Sequence, residues 1–352
     1  MSHFKIYFPT YSGGKRLIME IAEWTPEGRL VLSSLGKENF VQVNSPEDAD
    51  WILIPIFLSG LVNEAGYSYL KEVSELSKKH KKPLGLFSNS DLIVDPRVSN
   101  YHLFTPGAYS TDKRLIELPA LLPIDPVSKY FEGNLAPLGK KEKPTLGFCG
   151  QATANGFKTA KDLFLLLRLK FSKRIGKSPY LTIPMFLPAY ERYRLLENLE
   201  KSSKIKTDFV YRMKYRAGAH TAEDKLKVER EFYQNIRDNM FTLCLRGMGN
   251  YSVRFYQTLA MGRIPVLVDT ESKVPFEEYI PEKGFYLRVP YKERNRIDQF
   301  LEDFIEKKSE EELIQLQLTC RKVWESYYRK GALLQLLYSE MKGIYEKCVF
   351  QE

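Results

Sequence analysis

Residues 241–270 read FTLCLRGMGNYSVRFYQTLAMGRIPVLVDT, and their apolar runs and breakers spell strand, loop, helix, strand. Phe241–Leu245 and Ile264–Asp269 are the strands, with a helix over Ser252–Met261 between them. Gly247 and Gly249 can take positive φ and let a ligand or another backbone come close. Ser252 suits the N-cap of the helix. The free N–H groups at that helix start, with the positive end of its dipole, make a ready anion site. Arg246 stands just before the glycines and Arg254 on the first helical turn, and two guanidiniums in such places suit a diphosphate. An ordinary strand-to-helix turn with two surface arginines has the same local pattern. So does a dinucleotide turn. Gly247-Met248-Gly249-Asn250-Tyr251-Ser252 matches GxGxxG at two of its three glycines, and Asp269 falls about where a ribose-binding carboxylate would lie. Ser252 in place of the third glycine, and the motif's position late in the chain, stand against that reading.

Outward from this stretch, short apolar runs alternate with longer amphipathic ones, as in α/β folds with parallel sheets. Strands are expected at Phe4–Phe8, Trp51–Phe57, Leu84–Phe87 and Tyr101–Phe104, with a helix over Tyr67–His80. Pro119–Pro144, with five prolines and the cluster Lys140–Lys143, is the linker candidate. A second α/β series follows. It starts with strand Thr145–Cys149 and a helix over Ala160–Phe171, where Thr159 and Asp162 resemble a capping box. After it come helix Glu191–Leu199, strand Thr207–Arg212 and a charged helix from Ala222 to Asn239. The expected organisation is a first domain over 1–135, a second over 136–330, and a C-terminal helix over 331–352.

The 352 residues carry 53 Lys+Arg against 44 Asp+Glu, a net charge of +9, and 43% are hydrophobic, which excludes disorder. The basic excess is spread through helices rather than gathered in one stripe, so nucleic acid is not the expected partner. The longest apolar run, Trp51–Val62, falls well short of the roughly 20 residues that span a bilayer. The start, MSHFKIYFPT, shows no basic segment followed by an apolar one, so a cytoplasmic protein is expected. The four cysteines have no CxxC or CxC spacing and the four histidines are scattered, so neither a disulfide framework nor a structural metal is expected.

With these elements in place, the segment resembles the signature region of exostosin-like glycosyltransferases. The shared features are Arg246-Gly247, Gly249-Asn250, Ser252-Val253-Arg254-Phe255-Tyr256 and Gly262-Arg263-Ile264-Pro265-Val266. Val274-Pro275-Phe276-Glu277 looks like the family's Leu-Pro-Phe-Glu, and the likeness is concentrated between Asp208 and Val289. The resemblance implies a GT-B fold: two Rossmann-like domains facing across a cleft, donor on the second, acceptor on the first. It implies inverting transfer from a nucleotide sugar, most often a UDP-sugar, to a glycan or lipid-linked glycan. No cofactor or metal is expected.

The donor contacts it implies are Arg246, Gly247, Gly249, Asn250, Ser252, Arg254 and Gln257, with Gln257 standing where the family usually has a carboxylate. Gln257 can accept and donate a hydrogen bond but lacks charge-assisted strength toward ribose hydroxyls. Arg212, and after it Arg216, follow a strand whose carboxyl end would face the cleft. The catalytic base would come from the first domain. Asp91 in SNSD is the first choice, with Asp95 and His102 as alternatives. Asp48-Ala49-Asp50 has the metal-binding DxD spelling, but it precedes its apolar run and is expected to be a solvated loop. The amphipathic tail Leu333–Cys348 is expected to pack back across the domains, with peripheral membrane binding as its second reading. A nicotinamide enzyme and a non-catalytic basic binding protein are the rival functions.

Overall fold

Apolar runs with no polar alternation need cover on both faces, and a wholly parallel sheet provides it. The computed structural model describes residues 4–349 apart from the side chains at 215, 216, 348 and 349, so the reading of Arg216 lies outside the described residues. The first domain holds β1 (Phe4–Tyr7), a small antiparallel hairpin of β2 (Ala22–Trp24) and β3 (Leu30–Leu32), β4 (Phe40–Val43), β5 (Trp51–Phe57), helix α1 (Glu64–Lys79), β6 (Leu84–Phe87), β7 (His102–Thr105) and β8 (Leu115–Glu117). Apart from the hairpin, its strands form one parallel sheet in the order β4-β1-β5-β6-β7-β8. Central β5 is buried from Trp51 to Ile56. Helix α1 starts three residues before the sequence predicts, because the Asn63 side chain accepts the Gly66 N–H and caps it there.

The proline-rich linker is ordered. Within it lies α2 (Pro126–Phe131), with Pro126 in the first turn and the Asp125 carboxylate capping Val127 N–H. Val127, Tyr130 and Phe131 pack on Ile236 and Met261 of the second domain. Asp125 also takes both Nη atoms of Arg321, at 2.9 and 2.6 Å.

The second domain runs β9 (Thr145–Gln151), α3 (Gly156–Arg174), α4 (Pro188–Leu199), β10 (Lys206–Arg212), α5 (Ala222–Asp238), β11 (Phe241–Cys244), α6 (Val253–Ala260), β12 (Ile264–Asp269), β13 (Leu287–Pro290), then α7 (Ile297–Glu306) and α8 (Glu310–Tyr327). Its strands are parallel in the order β10-β9-β11-β12-β13. Helix α3 begins four residues before the expected Ala160. Its cap is Asn155, which accepts Lys158 N–H, while Asp162 is engaged by Lys158 Nζ and caps nothing.

The last helix, α9 (Lys330–Val349), places Leu333, Leu334, Leu337 and Met341 in the first domain's core, and Trp51 Nε1 donates to Met341 O at 3.1 Å. Its apolar face is therefore buried and is not free for a membrane. Each sheet winds outward from an early strand in both directions, so each has a switch point, at β1/β5 and at β9/β11. Ligands of doubly wound sheets bind beyond the carboxyl ends at such points. Two Rossmann-like domains with a returning C-terminal helix make a GT-B architecture.

Candidate active site

The carboxyl ends of β9 and β11 open into a cavity of about 670 Å³ bounded by both domains. Residues 149–151 of β9, Gly247, Met248, Gly249, Tyr251 and Ser252 of the following loop and the start of α6 form one wall, while Asp91 and Pro123 contribute from the first domain and the linker. Its size suits a ligand bigger than a monosaccharide. Five of the donor contacts implied by the resemblance, Gly247, Gly249, Ser252, Arg254 and Gln257, line it, together with Arg212 and Asp91. Arg246 and Asn250 do not.

Arg254 is the centre of the wall. It is buried, stacks on Phe148 at 4.1 Å and donates from Nη2 to Cys149 O at 3.0 Å. Among the described residues its Nε has no hydrogen-bond partner and no carboxylate pairs with it. Burial holds its pKa below the ordinary arginine value, and the like charge of Arg212 acts in the same direction. The seat exists because residue 150 is glycine. A Cβ there would lie 2.5 Å from Arg254 Nη2. Gly150→Ala is expected to push the guanidinium aside at little cost in stability and to weaken nucleotide binding about tenfold or more, read by titration calorimetry beside a melting curve.

Two further arginines converge on the cavity. Arg212, at the end of β10, is buried and donates to Val228 O at 2.9 Å and Glu231 Oε2 at 2.5 Å. Arg192 on α4 donates to Arg246 O at 2.9 Å, and burial, then the like charge of Arg254, drives its pKa down. In both, as in Arg254, Nε is buried without a partner among the described residues. The sequence reading missed Arg192. Its signal was an arginine at helical spacing with buried Leu195, Leu196 and Leu199, a cation set on the apolar side of α4. Ser252 precedes α6 but its hydroxyl makes no capping bond, and Gln257 Nε2 reaches Tyr233 OH at 3.3 Å. Glu229 of α5 brings a carboxylate to the same cavity.

Arg246 and Asn250 have another task. Arg246 Nη1 donates to Asn250 Oδ1 at 2.8 Å and to Tyr109 OH at 3.2 Å, and its Nη2 donates to Met248 O at 2.8 Å. Asn250 Oδ1 also accepts from Thr270, and its Nδ2 points at Ala108 O and Glu271 O. The pair locks the loop to the first domain, so the guanidinium expected at the diphosphate is already engaged. Nor do Gly247 and Gly249 take positive φ. Gly249 serves close approach, since a Cβ there would meet Asp91 O at 2.9 Å.

On the opposite wall, Asp91 Oδ1 accepts from Tyr251 OH at 2.8 Å, a bond across the cleft. His102 begins β7, at the amino end of the sheet and away from the cleft, its ring tilted against Trp51. The carboxylate of Asp50 accepts Lys5 N–H at the amino end of β5, so the DxD stays on the far side of the sheet. Asp269 is held by Arg288 Nη1 at 3.0 Å and by Ser272 N–H, outside the cavity, which removes the ribose partner a dinucleotide turn needs. Among the described residues no three His, Cys, Asp or Glu side chains gather as a metal site.

No family model and no curated protein sequence matches the chain. Solved structures do. A glycosyltransferase from Rickettsia africae is similar over 99% of both chains at 12% identity and a TM-score of 0.32. HepE from Anabaena, solved in complex with UDP, is similar over 84% of this chain and 79% of its own at 10% identity and a TM-score of 0.35. Sucrose-phosphate synthase from Thermosynechococcus elongatus is similar over 99% of this chain and 100% of its own at 10% identity and a TM-score of 0.33. Likeness at this level is too distant to carry function.

Proposed function

We propose that the chain is an inverting, exostosin-like glycosyltransferase that takes a nucleotide sugar, a UDP-sugar first among candidates, and passes the sugar to a hydroxyl of a glycan or lipid-linked glycan. The observation that carries the reading is the arginine trio. Arg192, Arg212 and Arg254 reach one cavity, and among the described residues each has a buried Nε lacking a partner while Arg192 and Arg254 pair with no carboxylate. Buried unpaired cations are costly, and a doubly charged diphosphate would relieve that cost.

The chemistry follows from charge. Asp91 takes the proton of the acceptor hydroxyl, whose oxygen attacks the anomeric carbon. The bond from that carbon to the diphosphate oxygen breaks, and the leaving nucleoside diphosphate carries away the electron pair. Arg254, Arg192 and the N–H groups opening α6 stabilise the charge that grows on it. Gln257 and Glu229, which line the same cavity, are the candidates for holding the ribose hydroxyls.

Hydrolysis and transfer assays across UDP-, GDP-, CMP- and TDP-sugars, with and without EDTA, test the reading. Turnover of one donor class supports it, and turnover that EDTA abolishes would move part of the leaving-group role to a metal. A nucleotide screen in which NAD stabilises the protein more than any nucleoside diphosphate would favour the dinucleotide rival instead. For the base, Asp91→Asn is expected to lower kcat about 10²–10⁴-fold while nucleoside diphosphate affinity stays at the wild-type value. Near-wild-type turnover would remove Asp91 from the role.

A further inference from the structure

Helix α3 leaves most of its apolar side chains exposed. Leu166 is the helix's one buried residue, while Phe157, Phe164 and Phe171 are 84%, 66% and 64% exposed. These three phenylalanines are seven residues apart and so lie along one face, which Leu167 and Ile175, both about half exposed, extend. Within Gly156–Arg174 there are six lysines and arginines against the single carboxylate of Asp162, which Lys158 already neutralises at 2.6 Å. Lys161 and Arg168 fall on one edge of the phenylalanine stripe, and Lys170 and Arg174 toward the other. An apolar stripe edged on both sides with cations is the pattern of a helix that lies in a bilayer interface, rings among the acyl chains and charges at the headgroups.

We propose that α3 is a docking element for anionic lipid membranes. The charge decides the occupant. A second copy meeting this face about a two-fold axis would bring two basic edges together, and like charges repel. An anionic bilayer meets both the rings and the cations. The helix would lie on the surface, since no helix among the described residues is long and apolar enough to cross a membrane.

Its position also matters. Helix α3 begins shortly after Gln151, which lines the cavity, and the segment that follows it bonds to the first domain through Leu181 N–H to Ile93 O at 2.8 Å and Asp95 N–H to Pro179 O at 2.7 Å. Docking through α3 would therefore set the cleft's rim at the membrane. The inference stands apart from the sugar-transfer reading, because vesicle binding is measured with no substrate present.

The test is co-sedimentation of the full chain with vesicles of pure phosphatidylcholine and with vesicles containing phosphatidylglycerol. The wild type is expected to pellet with the anionic vesicles, less so as salt rises. Replacing Phe157, Phe164 and Phe171 together with serine should weaken partitioning at least about tenfold, and Lys161→Glu with Arg168→Glu should weaken it independently of the rings. Both variants alter exposed side chains and should melt with the wild type. The proposal fails if the wild type stays in the supernatant, if neutral and anionic vesicles bind equally, or if both variants pellet like the wild type. It fails equally if light scattering shows a wild-type dimer that the phenylalanine variant dissociates, which would give the face to a second copy.

Discussion

Arg254→Ala is expected to lower kcat/KM for sugar transfer by about 10²–10³-fold, a loss of roughly 2.7–4 kcal/mol of transition-state stabilisation. The loss should appear in kcat as well as in KM, because charge on the diphosphate oxygen grows as its bond to the sugar breaks. Stability should move differently. The folded chain keeps this guanidinium buried on Phe148 with no carboxylate partner among the described residues, a state that burial itself disfavours. Arg254→Met, which retains much of the volume, is therefore expected to leave Tm unchanged or to raise it while activity collapses. A steady-state assay beside a melting curve reads both. Wild-type kcat/KM in the alanine variant would remove Arg254 from the site, and equal losses of stability and activity would make it an ordinary core residue.

Arg263→Ala is expected to have the largest effect on stability, through an arginine that does not line the cavity. Only 1% exposed, Arg263 donates from Nε to Arg237 O at 2.9 Å, from Nη1 to Gly262 O at 3.0 Å and from Nη2 to Arg237 O at 2.7 Å and Ala136 O at 3.1 Å. One planar fork thus ties the end of α5, the α6–β12 turn and the linker after α2. Truncation would leave these carbonyls without their donor in a buried place, at a cost of about 3–5 kcal/mol. That should lower Tm by on the order of 10 °C. Arg263→Lys should recover little, since an ammonium cannot span the same fork of acceptors. Below its lower Tm, Arg263→Ala should still bind nucleotide, which separates it from Arg254→Ala.

These two arginines lie nine positions apart in the stretch that suggested the fold, and the sequence alone told only one of them apart from its neighbours. Arg254 was legible because its place on a first helical turn fixes its direction. Arg263 passed as part of a motif, since its carbonyl partners come from residues 136 and 237 and no local pattern announces them. Arg246 differs from the direction its position suggested. Its position before two glycines suggested a phosphate ligand, but the loop turns it toward Asn250 and Tyr109. Side-chain direction at the end of a strand depends on backbone angles that sequence does not reveal.

The strands were legible where burial on both faces leaves a continuous apolar run, as in Trp51–Phe57, which forms with those bounds. Helix starts shifted where an asparagine caps the helix, at Asn63 and Asn155, because Asn serves turns and caps alike. Arg192 stayed hidden for a further reason. It belongs to α4, more than fifty residues before Arg254, and only the packing of β9 between β10 and β11 brings the two to one cavity.

The central claim is that the arginine trio receives a diphosphate, and calorimetric titration of wild type, Arg254→Ala and Arg192→Ala with matched nucleoside mono- and diphosphates tests it most directly. One nucleoside diphosphate should bind at least about tenfold more tightly than its monophosphate, and each substitution should erase most of that difference. Equal affinity for mono- and diphosphate in the wild type, or an undiminished preference in both variants, would contradict it.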